Sequence, residues 1–147
     1  MTEKRDMDWF VKKCREYGMK VTPQRTLVFE ILSMLHNHPT VAAVAREVAL
    51  RSPNVSFDTV NRTLQTFVDM GILHKIPATG NGLRFDTNPL PHHHVQCVRC
   101  GRIVDFESPE LDSIPVPKAV SARYKVLSKM VVFETVCDEC ARSKQVR

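Results

Sequence analysis

No stretch of this chain comes near the roughly 20 consecutive apolar residues that cross a bilayer. The opening, MTEKRDMDWF, is charged and has no apolar signal core. A cytoplasmic protein with no membrane role is the expectation. Hydrolase and deaminase signatures are missing too. There is no His-Glu-x-x-His, and no His-x-Glu paired with a Pro-Cys-x-x-Cys. Internal repeats and low-complexity tracts are absent as well. A strong charge imbalance is also lacking. The formal net charge of +5 over 147 residues is compatible with nucleic acid but common among soluble domains. One local cluster stands out: Lys12, Lys13, Arg15, Lys20 and Arg25, with only Glu16 nearby. It reads equally as a phosphate patch or as a solvated helix face.

What is present is an ordinary globular composition, 43% hydrophobic and 25% charged, long enough for one large or two small domains. The first part reads as helical. DMDWFVKKCREYG places Trp9, Phe10, Lys13, Cys14 and Tyr17 at helical spacing, and Gly18 can end the helix. VTPQRTLVFEILSMLH has Thr22 as N-cap, Pro23 at the first helical position, and a stripe of Val28, Ile31, Leu32 and Leu35. Thr40 caps a third helix with Val41, Val44, Val48 and Leu50 inward. Ser56 caps a fourth, which Gly71 stops; its buried face is Val60, Leu64, Phe67 and Val68. Thr59, Asn61, Arg62, Gln65 and Thr66 are left outside, a polar face able to hydrogen-bond.

ILHKI and LRFD then flank PATGNG, two short strands and a turn. Helices followed by a hairpin is the order of a winged helix-turn-helix, whose last helix enters the major groove. Other small helical domains share that order. TNPLPHH is Pro-rich and reads as a hinge; beyond it, HVQC, RIVDF and KVLSKMVVFETVC read as strands. Pro115 and Pro117 confine any helix before the last of these to roughly residues 117–124. The expected class is α+β. A winged helix over residues 1–86 is joined by a hinge at 87–92 to a small α/β domain over 93–147.

Cys97 and Cys100 form one Cys-x-x-Cys, and Cys137 and Cys140 a second, after 36 intervening residues. Four thiolates fill the tetrahedral shell zinc prefers and leave no position for substrate, so the site reads as structural zinc. Neither pair sits in a thioredoxin-like strand–CxxC–helix context. Cys14 is then a small half-buried core residue. With the thiolates assigned, the run His92, His93, His94 needs its own account. Strand alternation puts His92 and His94 on one face and His93 on the other. Asp105 on the next strand can meet His94 across a hairpin whose tip is the cysteine knuckle. Two imidazoles and a carboxylate suit a divalent Fe, Mn or Zn ion. A His-rich surface with loose metal affinity remains the alternative. His36 reads as a helix-dipole partner, His74 as solvent-facing, and Met34 and Met70 as core or capping contacts.

VTPQR, HPT, PNVSFDTV, LRFD, H-x-H-x-x-C-x-x-C-G-x-I-V-D-F and the closing CDEC occur in an order and spacing that resembles the ferric uptake regulator (Fur) family, from about Tyr17 to Cys140. Asp105 makes the chain most similar to its peroxide-sensing branch, the PerR repressors; the iron-uptake branch typically carries Glu there. The resemblance implies a homodimeric repressor that binds a double-stranded DNA operator, with an N-terminal winged helix and a C-terminal dimerisation domain. It implies structural zinc on Cys97, Cys100, Cys137 and Cys140. It implies a regulatory Fe(II) or Mn(II) on His38, Asp86, His92, His94 and Asp105, with His38 or His92 oxidised when iron meets peroxide. Peroxide would act as a signal; no other small-molecule substrate is expected, nor an enzymatic activity. DNA contacts are expected from Ser56, Thr59, Asn61, Arg62 and Arg25. Iron- or zinc-responsive control of metal uptake is the alternative function, and a zinc-ribbon interaction module the rival class. Two departures stand out. Asn61 replaces the family's usual Tyr on the recognition helix. Ser128 and Lys129 stand where many members have histidine, which argues against an additional metal site there.

Overall fold

The computed structural model describes residues 4–143 except 37, 78–81, 89 and 127. The turn expected in PATGNG and Pro89 of the hinge therefore lie largely outside the described residues. The chain forms two compact units. The first is Met1–Ala78 with Gly82–Pro89, and the second is chiefly Leu90–Arg147.

Four helices open the first unit: α1 (Met7–Glu16), α2 (Pro23–Met34), α3 (Val41–Arg51) and α4 (Phe57–Asp69). Each starts where a short polar side chain satisfies an orphan backbone N–H. The Asp6 carboxylate accepts from Trp9 N, Thr22 from Arg25 N, Thr40 from Ala43 N and Ser56 from Thr59 N, at 3.1–3.3 Å. Such a cap stabilises by about 1 kcal/mol. Gly18 (φ 63°) and Gly71 (φ 70°) end α1 and α4 in the left-handed conformation that disfavours a side chain. A two-stranded antiparallel hairpin follows, β1 (His74–Ile76) with β2 (Arg84–Asp86).

Aromatic rings centre the core. Phe10 stacks on Phe29 with centroids 4.4 Å apart and meets Phe67 edge-on at 5.5 Å. Val28, Ile31, Val44, Val48, Val60 and Leu64 close around them. Cys14 is fully buried there, further in than expected. Some expected inward residues point elsewhere. Leu50 is 78% exposed, because two residues beyond Val48 is about 200° around the helix. Tyr17 is 52% exposed because α1 has already ended. Met34, at the last turn of α2, is exposed and accepts at its sulfur from Arg51. Val68 and Leu35 are only partly buried, while Phe29 and Thr63 take inward places that the sequence pattern did not assign.

The second unit is a three-stranded sheet ordered β4-β3-β5, with β3 His93–Cys97, β4 Ile103–Phe106 and β5 Val132–Thr135. β3 pairs antiparallel with β4 and parallel with β5. Between β4 and β5 run two single turns, α5 (Pro109–Asp112) and α6 (Lys118–Ser121), and α7 (Asp138–Arg142) follows β5. His92 precedes β3 rather than lying in it. This unit has little interior of its own. Cys97 is its only apolar residue in the buried class among those described, while Val104, Ile114, Tyr124 and Phe133 are exposed. A mostly apolar groove of about 320 Å³ runs between Leu111, Ile114, Val120, Val126 and Val131. Among the described residues no helix is long and apolar enough to cross a membrane.

Candidate metal centres and nucleic-acid face

The cysteine site is built from two turns of the second unit. Cys97 ends β3, and the chain turns back through Gly101, whose N–H reaches the Cys97 carbonyl at 2.9 Å with φ 75°. Cys137 caps α7 and Cys140 lies within it. All four sulfurs lie within 4.8 Å of one another, and Cys100 and Cys137 are 3.8 Å apart. A regular tetrahedron with zinc–sulfur bonds of about 2.3 Å has sulfurs about 3.8 Å apart, so the donor set fits that ion. The Cys137 N–H points at the Cys97 sulfur at 3.4 Å. Backbone N–H groups of Cys100 and Cys137 draw the Cys97 thiol down to about 6. The neighbouring thiols, Cys137 first, push Cys140 up to about 12. Four crowded sulfurs cannot all be thiolates without a cation among them. Arg99 donates to the Cys140 carbonyl at 2.8 Å and Arg102 pairs with Glu139 at 3.0 Å, tying the two turns together.

The histidine run divides as alternation requires. His92 Nε2 and His94 Nε2 are 3.0 Å apart. Asp105 is the register partner of His94 across β3 and β4, and its carboxylate lies 3.3 Å from His94 Nε2 and 3.8 Å from His92 Nε2. His92 Nδ1 is 2.6 Å from the Leu90 carbonyl. A carbonyl only accepts, so Nδ1 carries the proton and Nε2 presents its lone pair toward His94 and Asp105. That is how a protein orients an imidazole for a metal. Both rings are buried. His93 faces the other way. Its Nδ1 accepts from Val131 N at 3.1 Å, so Nε2 carries the proton and donates to Asp112 at 3.0 Å. It is a buried structural histidine joining three segments.

His38 and Asp86 belong to the first unit, where an atom of each that could bind metal lies within 4.8 Å of the other. His38 has φ 46°, a conformation non-glycine residues rarely adopt. Bonds to β2 hold it there: Arg84 donates to the His38 carbonyl at 3.2 Å, and Phe85 N to that of Pro39 at 3.0 Å. Asp86 is buried at the end of β2 and accepts from Asn88 N at 2.8 Å.

The outer face of α4 carries Asn61, Arg62 and Gln65 exposed, with Thr59 and Thr66 half-buried. Arg62 is paired to Asp58 one turn back, Nε to Oδ2 at 2.8 Å. Ser56 is exposed, its hydroxyl engaged with Thr59. Arg25 donates to the Lys20 carbonyl at 2.6 Å. Thr22, Gln24 and Arg25 face Thr59, Arg62 and Thr66 across a cleft of about 230 Å³. The sequence pattern did not single out Lys75, which reaches Gln65 from the hairpin at 2.5 Å, or Asp69, which accepts from Gln65 at 2.9 Å. Alternation in β1 was the only available signal for Lys75. His36 is exposed beyond the end of α2 and His74 is half-buried. Met70 is buried and caps α4.

Residues 16–134 match the model of the ferric uptake regulator family. The chain is 30% identical over 135 residues to the peroxide-responsive repressor PerR of Staphylococcus epidermidis, an alignment that spans 92% of this chain and 90% of that one. Its fold is similar to that of the Helicobacter pylori ferric uptake regulator, described as having three functional metal binding sites, with a TM-score of 0.77, 20% identity and coverage of 99% and 100% of the two chains. It is also similar to a zinc-bound manganese uptake regulator, with a TM-score of 0.63, 25% identity and coverage of 86% and 97%. The chain belongs to the ferric uptake regulator family of transcription regulators and is not an enzyme.

Proposed function

We propose that this chain is a metal-dependent, DNA-binding transcriptional repressor that senses peroxide through iron-catalysed oxidation of a ligand histidine. The observation that carries the reading is the arrangement of His92, His94 and Asp105, two buried imidazoles and a carboxylate converging on one point. In our assignment the regulatory metal, Fe(II) or Mn(II), takes His38, Asp86, His92, His94 and Asp105. Structural zinc takes Cys97, Cys100, Cys137 and Cys140. A DNA-binding part over residues 1–86, a hinge over 87–92 and a dimerisation part over 93–147 is the division we adopt. Because the regulatory ligands are drawn from both parts, metal occupancy and DNA competence are linked quantities.

Operator DNA is assigned to Ser56, Thr59, Asn61, Arg62 and Arg25. Arg62 suits guanine or phosphate, and Asn61 suits adenine. The uncovered apolar side chains of the second unit support a homodimer. Held by these residues, Fe(II) would supply the redox chemistry that activates peroxide. With peroxide as the two-electron oxidant, one of its oxygens would enter a ring C–H bond of His38 or His92 and the other would leave as water. An oxidised ring is a weaker donor, so the site loses a ligand and DNA affinity falls.

Peptide mass spectrometry after Fe(II) loading and peroxide exposure, with a Mn(II)-loaded control, tests this. One added oxygen on His38 or His92 with iron alone is expected. Intact histidines, with operator binding that merely follows metal concentration, would make the protein a metal-uptake repressor instead. The similarity of its fold to uptake regulators supports that second reading.

A further inference from the structure

Arg5 lies outside the stretch that matches the family and outside every site named so far. It is not a loose terminal charge. A single guanidinium nitrogen donates to two carbonyls distant in sequence, Ile72 at 2.8 Å and Thr87 at 2.9 Å. The same guanidinium covers the Trp9 ring, 4.6 Å from its centroid. Trp9 is itself locked in the core against Phe29. Arg5 is therefore fixed at both its apolar and its polar side, and half-buried.

Thr87 directly follows Asp86. The Asp86 carboxylate accepts from Asn88 N, which closes a tight turn around Thr87. The carbonyl at the middle of that turn is the one Arg5 holds. The turn's position thus depends on Arg5 on one side and on the Asn88 N–H on the other. Burial lowers the pKa of Arg5, and the charge of Asp86 opposes that effect, so the two groups sense each other electrostatically.

We propose that Arg5 is a positioning residue for Asp86, fixing the Asp86–Asn88 turn so that the carboxylate is pre-set to bind the regulatory divalent ion. This inference rests on the regulatory-site assignment above. Two effects of Arg5 oppose each other. Its charge disfavours a second cation nearby, while its hydrogen bonds spare the carboxylate the entropy of being ordered on binding. The bond to the Thr87 carbonyl at 2.9 Å acts directly on the turn, and the bond to Ile72 at 2.8 Å anchors the same nitrogen, whereas the charge acts at a distance through a partly solvated region. Positioning is the larger effect, and removing Arg5 weakens metal binding.

The test titrates Mn(II), followed by electron paramagnetic resonance, into the full-length zinc-loaded protein and its variants Arg5→Ala, Arg5→Lys, Asp6→Ala and Asp86→Ala. Zinc content and melting temperature without manganese are measured alongside. Arg5→Ala is expected to raise the Mn(II) dissociation constant about tenfold, the usual scale for residues that support ligands from behind, with zinc content unchanged. Arg5→Lys keeps a donor and a charge and is expected to recover part of the loss. Asp6→Ala removes the α1 cap but leaves Arg5 in place; it is expected to lower the melting temperature while moving Mn(II) affinity far less. Equal loss in Asp6→Ala and Arg5→Ala would reduce Arg5 to an anchor of α1 and overturn the proposal. Tighter Mn(II) binding by Arg5→Ala would overturn it too, by making charge the dominant effect. Wild-type affinity indifferent to Asp86→Ala would overturn the regulatory-site assignment and this inference with it. Asp86-dependent affinity that Arg5→Ala leaves unmoved would overturn the inference alone.

Discussion

Cys137→Ser removes one sulfur from a site whose geometry matches a zinc tetrahedron. Among the described residues, Cys97 alone in the second unit joins the buried apolar class. That unit therefore has few internal contacts with which to replace a lost metal. A domain of its size is stabilised by about 3–9 kcal/mol in total. Structural zinc on such a site binds with about 10–16 kcal/mol, so even an equal share per thiolate, ~2.5–4 kcal/mol, is comparable with the lower end of that stability. The first unit keeps its own core around Phe10, Phe29 and Phe67. Two-dimensional amide spectra should thus show a split outcome. Signals of Val95, Val104 and Phe133 collapse toward unfolded positions, while those of Val28, Val48 and Val60 persist. Zinc content falls toward zero and the dimer peak is lost in gel filtration. A zinc-free variant that keeps dispersed Val95, Val104 and Phe133 signals would refute the reasoning, because the sheet would then stand without the metal.

His38→Ala and Asp86→Ala should leave zinc content intact while abolishing metal-dependent operator binding in a gel shift; loss of zinc in either would mean that the two sites are not separate. Phe10→Ala should destabilise the first unit by about 3–5 kcal/mol in urea unfolding, since its ring contacts both Phe29 and Phe67. A loss below about 1 kcal/mol would show that the core relaxes around the gap.

The helix starts were legible because capping is local. Thr22, Thr40 and Ser56 each bond an N–H three residues on, and nothing distant competes with that. The inward stripes were legible only in mid-helix. Leu50 and Tyr17 lie where a helix is ending, and a pattern that ignores the end misplaces them. The pairing of Asp105 with His94 could be reasoned from strand alternation and a knuckle too short to permit another register. The parallel pairing of β5 with β3 had no such signal. The chain between those strands runs through β4, α5 and α6, and so long a connection writes no local pattern. Arg5 was invisible for the same reason, since its partners lie 67 and 82 residues away.

The uneven cores of the two units bear on how a metal-dependent repressor of this family can work. The first unit surrounds its aromatic centre with apolar side chains from all four helices, so its fold does not depend on what it binds. The second exposes Val104, Ile114, Tyr124 and Phe133 and gathers its chemistry into the Cys and His clusters. An apolar surface of that kind is stabilised only by being covered, and a shell of thiolates only by a cation. On the proposed assignment, folding of the second unit would be linked by mass action to zinc and to a partner subunit. That separation has a consequence for sensing. On the proposed reading, a ligand lost from the His and Asp set would leave the tetrathiolate untouched, so oxidation would switch the regulatory site without unfolding the domain that carries it. Were the two sites to share a cysteine, every peroxide event would also threaten the fold. His92 and His94 in the one set, and four separate cysteines in the other, keep the proposed sensing role and the structural role on different atoms.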